Sequence, residues 1–236
     1  MEVIPVIDLL DGLVVHARYG QRQHYQPIRT PLCDTAQPLA IVEQLLSIYP
    51  FKTLYIADLN SIMGDRDNLD QITAISNKFP CLTIWLDRGY FNRPPEQPKI
   101  VPVIGTESLN QASLPLLGQM PQPFILSLDF SNNILHGPDR ILEETCNWPR
   151  KVIIMNLALV GSKQGPDFHR LGLFGSKWPN KEFIAAGGIR DERDLDELKE
   201  LGINAALVAS ALHSGAISPT DITRIMETGK NRLGTK

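Results

Sequence analysis

Apolar residues in this chain fall into short dense runs, and between the runs apolar positions recur every three or four residues. The runs at 3–7, 53–57, 82–86, 100–104, 124–128, 152–155, 183–186 and 205–208 are rich in Val, Ile and Leu and have the length of strands buried on both faces. Intervening segments have helical spacing; in 39–48, Ile41, Val42, Leu45 and Leu46 share one face. Strand and helix in alternation predict parallel strands joined by crossover helices, and eight runs is the number a (β/α)8 barrel requires. The segment NRPPEQP at 92–98 is too proline-rich for a full helix, so one outer helix is expected to be missing or reduced to a turn. An open doubly wound sheet competes with the barrel, but no G-x-G-x-x-G follows the first run and 236 residues suit a compact barrel. No linker-like stretch interrupts the pattern, which predicts one domain over 1–236.

An internal duplication is also visible. VIPVIDLLDG near the start and FILSLDFSNN at 124–133 each run apolar residues into an aspartate, Asp8 or Asp129, followed by turn residues. The offset of 121 positions (129 − 8) is about half the chain, so the reading is two half-barrels of about 1–120 and 121–236. It places Asp8 and Asp129 at the ends of strands one and five, across one barrel mouth. Barrel enzymes keep their reacting groups at that rim, and two carboxyls can divide proton donation and abstraction if their environments separate their pKa values. Each aspartate alone could instead cap the turn that follows it.

In FIAAGGIRDERDLDEL, residues 183–198, an apolar run stops at Gly187-Gly188 and gives way to a helical pattern. Backbone N–H groups in such a turn bind anions, and glycine lets a phosphate approach the chain with no Cβ in the way. Asp191 is placed as the cap of a helix carrying Leu195, Leu198 and Leu201. In VASALHSG at 208–215, Ala209 and Ser210 can close the site from the neighbouring loop, the usual phosphate position of a barrel. A tight turn of small residues without a ligand is the plainer alternative.

Composition narrows the function classes. A formal net charge of −3 offers no electrostatic footprint for nucleic acid. Cys33, Cys81 and Cys146 are odd in number and scattered, which fits reduced thiols in the cytoplasm. The start MEVIPVIDLLDG lacks the basic and apolar regions of a signal peptide, and no apolar run reaches the roughly 20 residues that span a bilayer. His16, His24, His136, His169 and His213 lack metal-ligand spacing, and no serine or cysteine sits in a nucleophile motif, so no metal is expected. Trp85, Trp148 and Trp178 read as packing residues. The long loop at 19–37, with Arg22, His24 and Arg29 in it and Arg18 just before it, reads equally as a lid or as a solvated excursion.

Taken together, VIPVIDLLDG, LYIADLNSIMGDRDNLDQI, VIGTES, LSLDF, GSKQGPD, AAGGIRDERDLDELKELG and VASALHSG resemble the histidine-biosynthesis barrels, the ProFAR isomerase (HisA) and its cyclase relative (HisF). The resemblance covers about 2–215, and VIDL in the first strand is nearer the isomerase. It implies that Asp8 and Asp129 are an acid–base pair opening a ribose ring for an Amadori rearrangement with no metal or cofactor. It also implies that Gly187, Gly188, Ala209 and Ser210 bind one substrate phosphate, and that Gly105 and Thr106 preserve half of a second phosphate site.

The departures fall in functional places. Where the family has glycines after the third strand, this chain has TIWLDRGYFN, in which Asp87 repels an anion and Arg88 could offset it. Met155, Asn156 and Val160 replace a threonine, an acidic residue and an aspartate, and His16 replaces an arginine. His16, Arg18, Asp58, Arg88 and Asn156 are therefore the further pocket candidates. Two readings are open at this point: a metal-free isomerase or related acid–base enzyme on a phosphorylated ribose-type molecule, and a phosphate-ligand binding protein that has lost catalysis. Divergent members of this family accompany tetrahydromethanopterin-type one-carbon metabolism, a third setting for a phosphosugar enzyme. A phosphorylated small molecule is the expected partner, and the expected assembly is a monomer or small homo-oligomer.

Overall fold

A computed structural model describes residues 1–90, 97 and 99–227. It is a (β/α)8 barrel. Eight parallel strands, β1 (Glu2–Leu10), β2 (Thr53–Asp58), β3 (Thr83–Asp87), β4 (Ile100–Gly105), β5 (Ile125–Ser131), β6 (Lys151–Asn156), β7 (Glu182–Ala186) and β8 (Ala205–Val208), each pair with the next. β8 returns to β1 in the register Glu2↔Ala205 to Pro5↔Val208, so the sheet closes without an edge.

All eight expected strands are present, but β1 and β5 run further than their apolar runs suggest. Each continues past the barrel rim into a hairpin, β1 pairing antiparallel with Leu13–Val15 and β5 with Ile134–Leu135. Both turns use left-handed residues, Asp11 and Gly12 (φ 50° and 80°) in one and Asn132 and Asn133 (φ 48° and 67°) in the other. Paired positive φ angles match the twist of a tight hairpin, which explains the Asp-Gly and Asn-Asn sequences. The turns stand 121 positions apart (132 − 11), the spacing of Asp8 and Asp129.

The outer layer holds α1 (Pro38–Ile48), α2 (Leu69–Lys78), α3 (Phe168–Lys177), α4 (Glu192–Glu200) and α5 (Pro219–Glu227). α1 starts with proline at its first position and buries Ile41, Val42 and Leu45. In α4 the Asp191 carboxylate accepts from the Arg193 and Asp194 amides, and Leu195 and Leu198 are fully buried. The proline-rich segment 92–98 lies almost wholly outside the described residues. After β4 the connection holds one helical turn, Leu114–Leu117, and after β5 only the 3₁₀ turns Asp139–Leu142 and Thr145–Asn147. None of the described helices is long and apolar enough to cross a membrane.

Strand alternation divides the core in two. Ile4, Tyr55, Trp85, Val103, Ile125, Ile153, Ile184 and Leu207 fill the barrel, while Ile7, Ile56, Leu86, Ile104, Leu128 and Ile154 pack outward under the helices. Asp8, Asp87 and Asp129 share the parity of the inward set and stand at the upper, C-terminal ends of their strands. Asp58, Arg88, Thr106 and Asn156 each follow an inward position by one residue, and a one-residue step turns a side chain to the opposite face.

Asp58 and Arg88, expected in the pocket, therefore lie in the layer between barrel and helices. Asp58 is fully buried and accepts from the Ser61 amide and hydroxyl, the Asn68 amide and side chain, and Arg88 Nε at 3.1 Å. Arg88 also reaches Ser61 Oγ at 3.0 Å and Asp67 at 3.1 Å. Removing the cation strands a buried carboxylate, so Arg88→Ala is expected to lower unfolding free energy by about 3 kcal/mol in chemical denaturation. A loss below about 1 kcal/mol contradicts this structural role.

Candidate active site

A cavity of about 550 Å³ opens at the C-terminal end of the barrel. Asp8, Asp87 and Asp129 line one part of it, and Gly187, Gly188, Ala209 and Ser210 line another. Both sequence-derived groups, the aspartate pair and the glycine loops, thus face one space.

Asp129 is buried and closely held. Ser127 Oγ donates to Oδ1 at 2.6 Å, the Glu107 amide donates to Oδ2 at 3.1 Å, and the Asp129 amide donates to Thr106 Oγ1 at 2.9 Å. Gly105 is needed for a steric reason: a Cβ there would stand 2.9 Å from Asp129 Oδ2 and 3.4 Å from Asp87 Oδ2. Gly105 and Thr106 were expected to hold a phosphate, but neither reaches the cavity wall, and the fully buried threonine spends its hydroxyl on Asp129. They seat a carboxyl group instead.

Burial is the main force on all three aspartates, pushing Asp8 to about 7, Asp87 to about 6 and Asp129 to about 8. Glu107 adds repulsion at Asp87 and Asp129, and Asp87 adds it at Asp8 and Asp129. Asp87 accepts from Tyr55 Oη at 3.2 Å and from the Gly89 amide at 3.1 Å. The Glu107 carboxylate forms an ion pair with Arg22.

The glycine loop is shaped by close packing. Gly187 and Gly188 have φ of 95° and 85°, and a Cβ would fall 2.5 Å from Asn156 O in the first case and 2.1 Å from Gly165 O in the second. Backbone contact alone thus requires both glycines. Among the described residues the Gly188 and Ile189 amides donate to no protein group, and no side chain caps the turn Ser210–His213. Around these amides the wall is basic. His16 Nε2 lies 3.4 Å from Ser210 Oγ, and burial with the charges of Arg18 and Lys163 holds the imidazole below its ordinary pKa. His213, also buried, is driven down to about 4 by desolvation and by His16, and its Nδ1 has no partner.

The loop at 19–37 supplies part of the wall through Arg22, Tyr25, Ile28 and Arg29. It is tied down by the Tyr19 amide on Val160 O and by Thr30 Oγ1 on His213 O, both at 3.0 Å, so it is built into the mouth and not a free excursion. Of the pocket candidates, His16 and Arg18 line the cavity. Asn156 does not: its Nδ2 donates to Asp167 at 3.1 Å behind the wall, while Met155 turns inward. Sequence reading missed Tyr55, Glu107, Lys163 and His213. Tyr55 and Asp87 were recoverable from alternation with Ala57 and Trp85, and Lys163 lies inside the quoted GSKQGPD. Among the described residues no group of His, Cys, Asp or Glu has metal-site geometry.

Several known proteins are similar to this chain. The family described as histidine biosynthesis protein matches residues 145–218, the region of β6 to β8. An uncharacterized protein of Methanocaldococcus jannaschii is 31% identical over 233 residues, covering 94% of this chain and 97% of the relative. A 1-(5-phosphoribosyl)-5-((5-phosphoribosylamino)methylideneamino)imidazole-4-carboxamide isomerase of Pyrococcus furiosus is 25% identical over 232 residues, 92% of this chain and 90% of its own. The isomerase of the same name from Thermococcus kodakarensis is 23% identical over 241 residues, 95% and 97% of the two chains.

The desolvated carboxyls have a stability consequence, even at Asp8, which is only partly buried. An aspartate whose folded pKa exceeds its unfolded value binds more protons when folded, so its contribution is intact below about 4 and is lost as pH rises through the folded value. Asp8→Asn removes this penalty from a site where no protein group donates to the carboxyl among the described residues. The variant is expected to melt at least about 3 °C above the parent at pH 8, the difference vanishing near pH 4. Equal melting temperatures at pH 8 contradict the raised pKa of Asp8.

Proposed function

The chain belongs to the histidine-biosynthesis family, whose model matches residues 145–218, and from that premise we propose that it is a HisA-like isomerase acting on a phosphorylated ribose-type small molecule. The observation that carries this reading is the placement of Asp8 and Asp129 on inward positions of β1 and β5, in the same cavity as the unpartnered amides of Gly188 and Ile189.

The separation of environments suggests the roles. Asp129, with the higher pKa of about 8, is the group that holds a proton at neutral pH and can donate it to the ring oxygen of an aminoaldose, opening the ring to an imine. Asp8, at about 7, is then the base that removes the proton from the adjacent carbon, giving an enaminol that becomes the aminoketose on reprotonation. The protons balance, and the carbon skeleton is unchanged. A phosphate on the substrate's far end would rest on the Gly187-Gly188 loop and the Ala209-Ser210 turn, with Arg18 and Lys163 adding charge. Backbone amides holding the phosphate also fix the sugar relative to the carboxyls, which lowers the entropic cost of the reaction.

The test is loss of the C2–H signal by proton NMR in D₂O, across a panel of N-glycosylamine phosphates that includes the carboxamide substrate of the isomerases above. Asp8→Asn and Asp129→Asn are each expected to slow the exchange at least about 100-fold while phosphate-ester binding stays within about threefold. The pH profile should be bell-shaped, rising through about 7 as Asp8 ionises and falling through about 8 as Asp129 loses its proton. Exchange retained in both variants, or absent from the parent with every ester that binds, removes the isomerase reading and leaves a binding protein.

A further inference from the structure

Two parts of the cavity wall carry opposite charge, and that polarity goes beyond the reading above while resting on it. On one part of the wall Arg18 and Lys163 lie near the His16 and Ser210 contact, and neither cation forms an ion pair among the described residues. Elsewhere the wall carries Asp8, Asp87, Asp129 and Glu107. Among the described residues the cation acting on Asp8 and Asp87 is Arg22, and the Glu107 carboxylate holds it.

Strand alternation produces this imbalance. Asp87 and Arg88 are adjacent in sequence, but Asp87 turns into the barrel and Arg88 turns out to Asp58 and Asp67. The negative charge stays in the cavity and its neighbouring cation leaves it. Asp87 keeps only neutral donors, Tyr55 Oη and the Gly89 amide. A second phosphate placed here would meet the Asp87 carboxylate, and among the described residues the neighbouring cation, Arg22, is already paired with Glu107. The same cavity holds the Gly188 loop, where the Gly188 and Ile189 amides donate to no protein group among the described residues.

We propose that the ligand is a phosphate monoester carrying a basic nitrogen at its other end, the phosphate on the Gly188 and Ser210 side and the nitrogen against Asp87. A protonated amine supplies the donors and the charge that Asp87 lacks, and such a charge-assisted contact is strong in a cavity shielded from water. The same carboxylate disfavours a bisphosphate.

Three commercially simple probes of one size class separate the possibilities: glucosamine 6-phosphate, glucose 6-phosphate and glucose 1,6-bisphosphate, measured by titration calorimetry at pH 7. Glucosamine 6-phosphate is expected to bind about tenfold more tightly than glucose 6-phosphate, and the bisphosphate most weakly. In Asp87→Asn the amine preference should fall to near unity. Should that variant fold poorly, the parent protein gives the same information at pH 5, where protonation of Asp87 should erase the preference. The groups facing Asp87 at these pH values are Asp8, Asp129, Glu107, Arg22 and Tyr55, and the two aspartates lose charge in the same direction. A ratio near one at pH 7, or tightest binding of the bisphosphate, overturns the inference. Ser210→Asp then tells the two readings apart: if it abolishes hexose phosphate binding, the phosphate site stands and only the amine end falls. No binding by any of the three probes overturns the inference, while the isomerase reading stands or falls on the exchange test above.

Discussion

The two-residue repeat of a β-strand is the constraint from which the rest of this protein follows. Closing eight parallel strands leaves each side chain a choice of two places, the barrel interior or the layer beneath the helices, and the choice alternates without exception along a regular strand. At the upper rim that rule brings Asp8, Asp87 and Asp129 into one cavity and sends Asp58, Arg88, Thr106 and Asn156 behind its wall. The outward set is not idle. Arg88 and Asp58 anchor the turn after β2, and Thr106 bonds the Asp129 amide, so the groups that miss the cavity hold in place the groups that reach it.

Collecting carboxyls in a buried mouth costs stability, and the cost explains their chemistry. Desolvation raises all three aspartates, and like charge separates them into a range where proton transfer at neutral pH is feasible in both directions. Gly105 belongs to the same device, since a Cβ there would stand 2.9 Å from Asp129 Oδ2 and force it to shift. Gly187 and Gly188 serve a different one. Their positive φ angles and contact with the Asn156 and Gly165 carbonyls fix the loop from behind, which leaves the Gly188 and Ile189 amides turned toward no protein acceptor.

Much of this was legible in the sequence, and the unread part has a common physical origin. Eight apolar runs separated by helical spacing specified the barrel, because strands buried on both faces cannot tolerate polar interruption. The matched LLDG and FSNN after Asp8 and Asp129 pointed to one mouth, and the structure adds that both are hairpin turns with left-handed residues. Asp58, Arg88, Asn156 and Thr106 were misplaced because proximity to a strand end was read without counting parity from Ala57, Trp85, Met155 and Gly105. His213 and the Arg22–Glu107 pair were invisible for another reason: each meets its surroundings through contacts far apart in the chain, which no local pattern encodes. The short turns after β4 and β5 likewise lack a periodic signal in either direction.

The most direct measurement is a crystal structure of the protein soaked in inorganic phosphate at neutral pH. A single anion on the Gly188 and Ile189 amides beside Ser210, with none near Asp87, is the predicted result. An anion bound at Asp87, or a mouth in which Asp8 and Asp129 face separate compartments, would contradict a one-phosphate site set opposite an acidic wall.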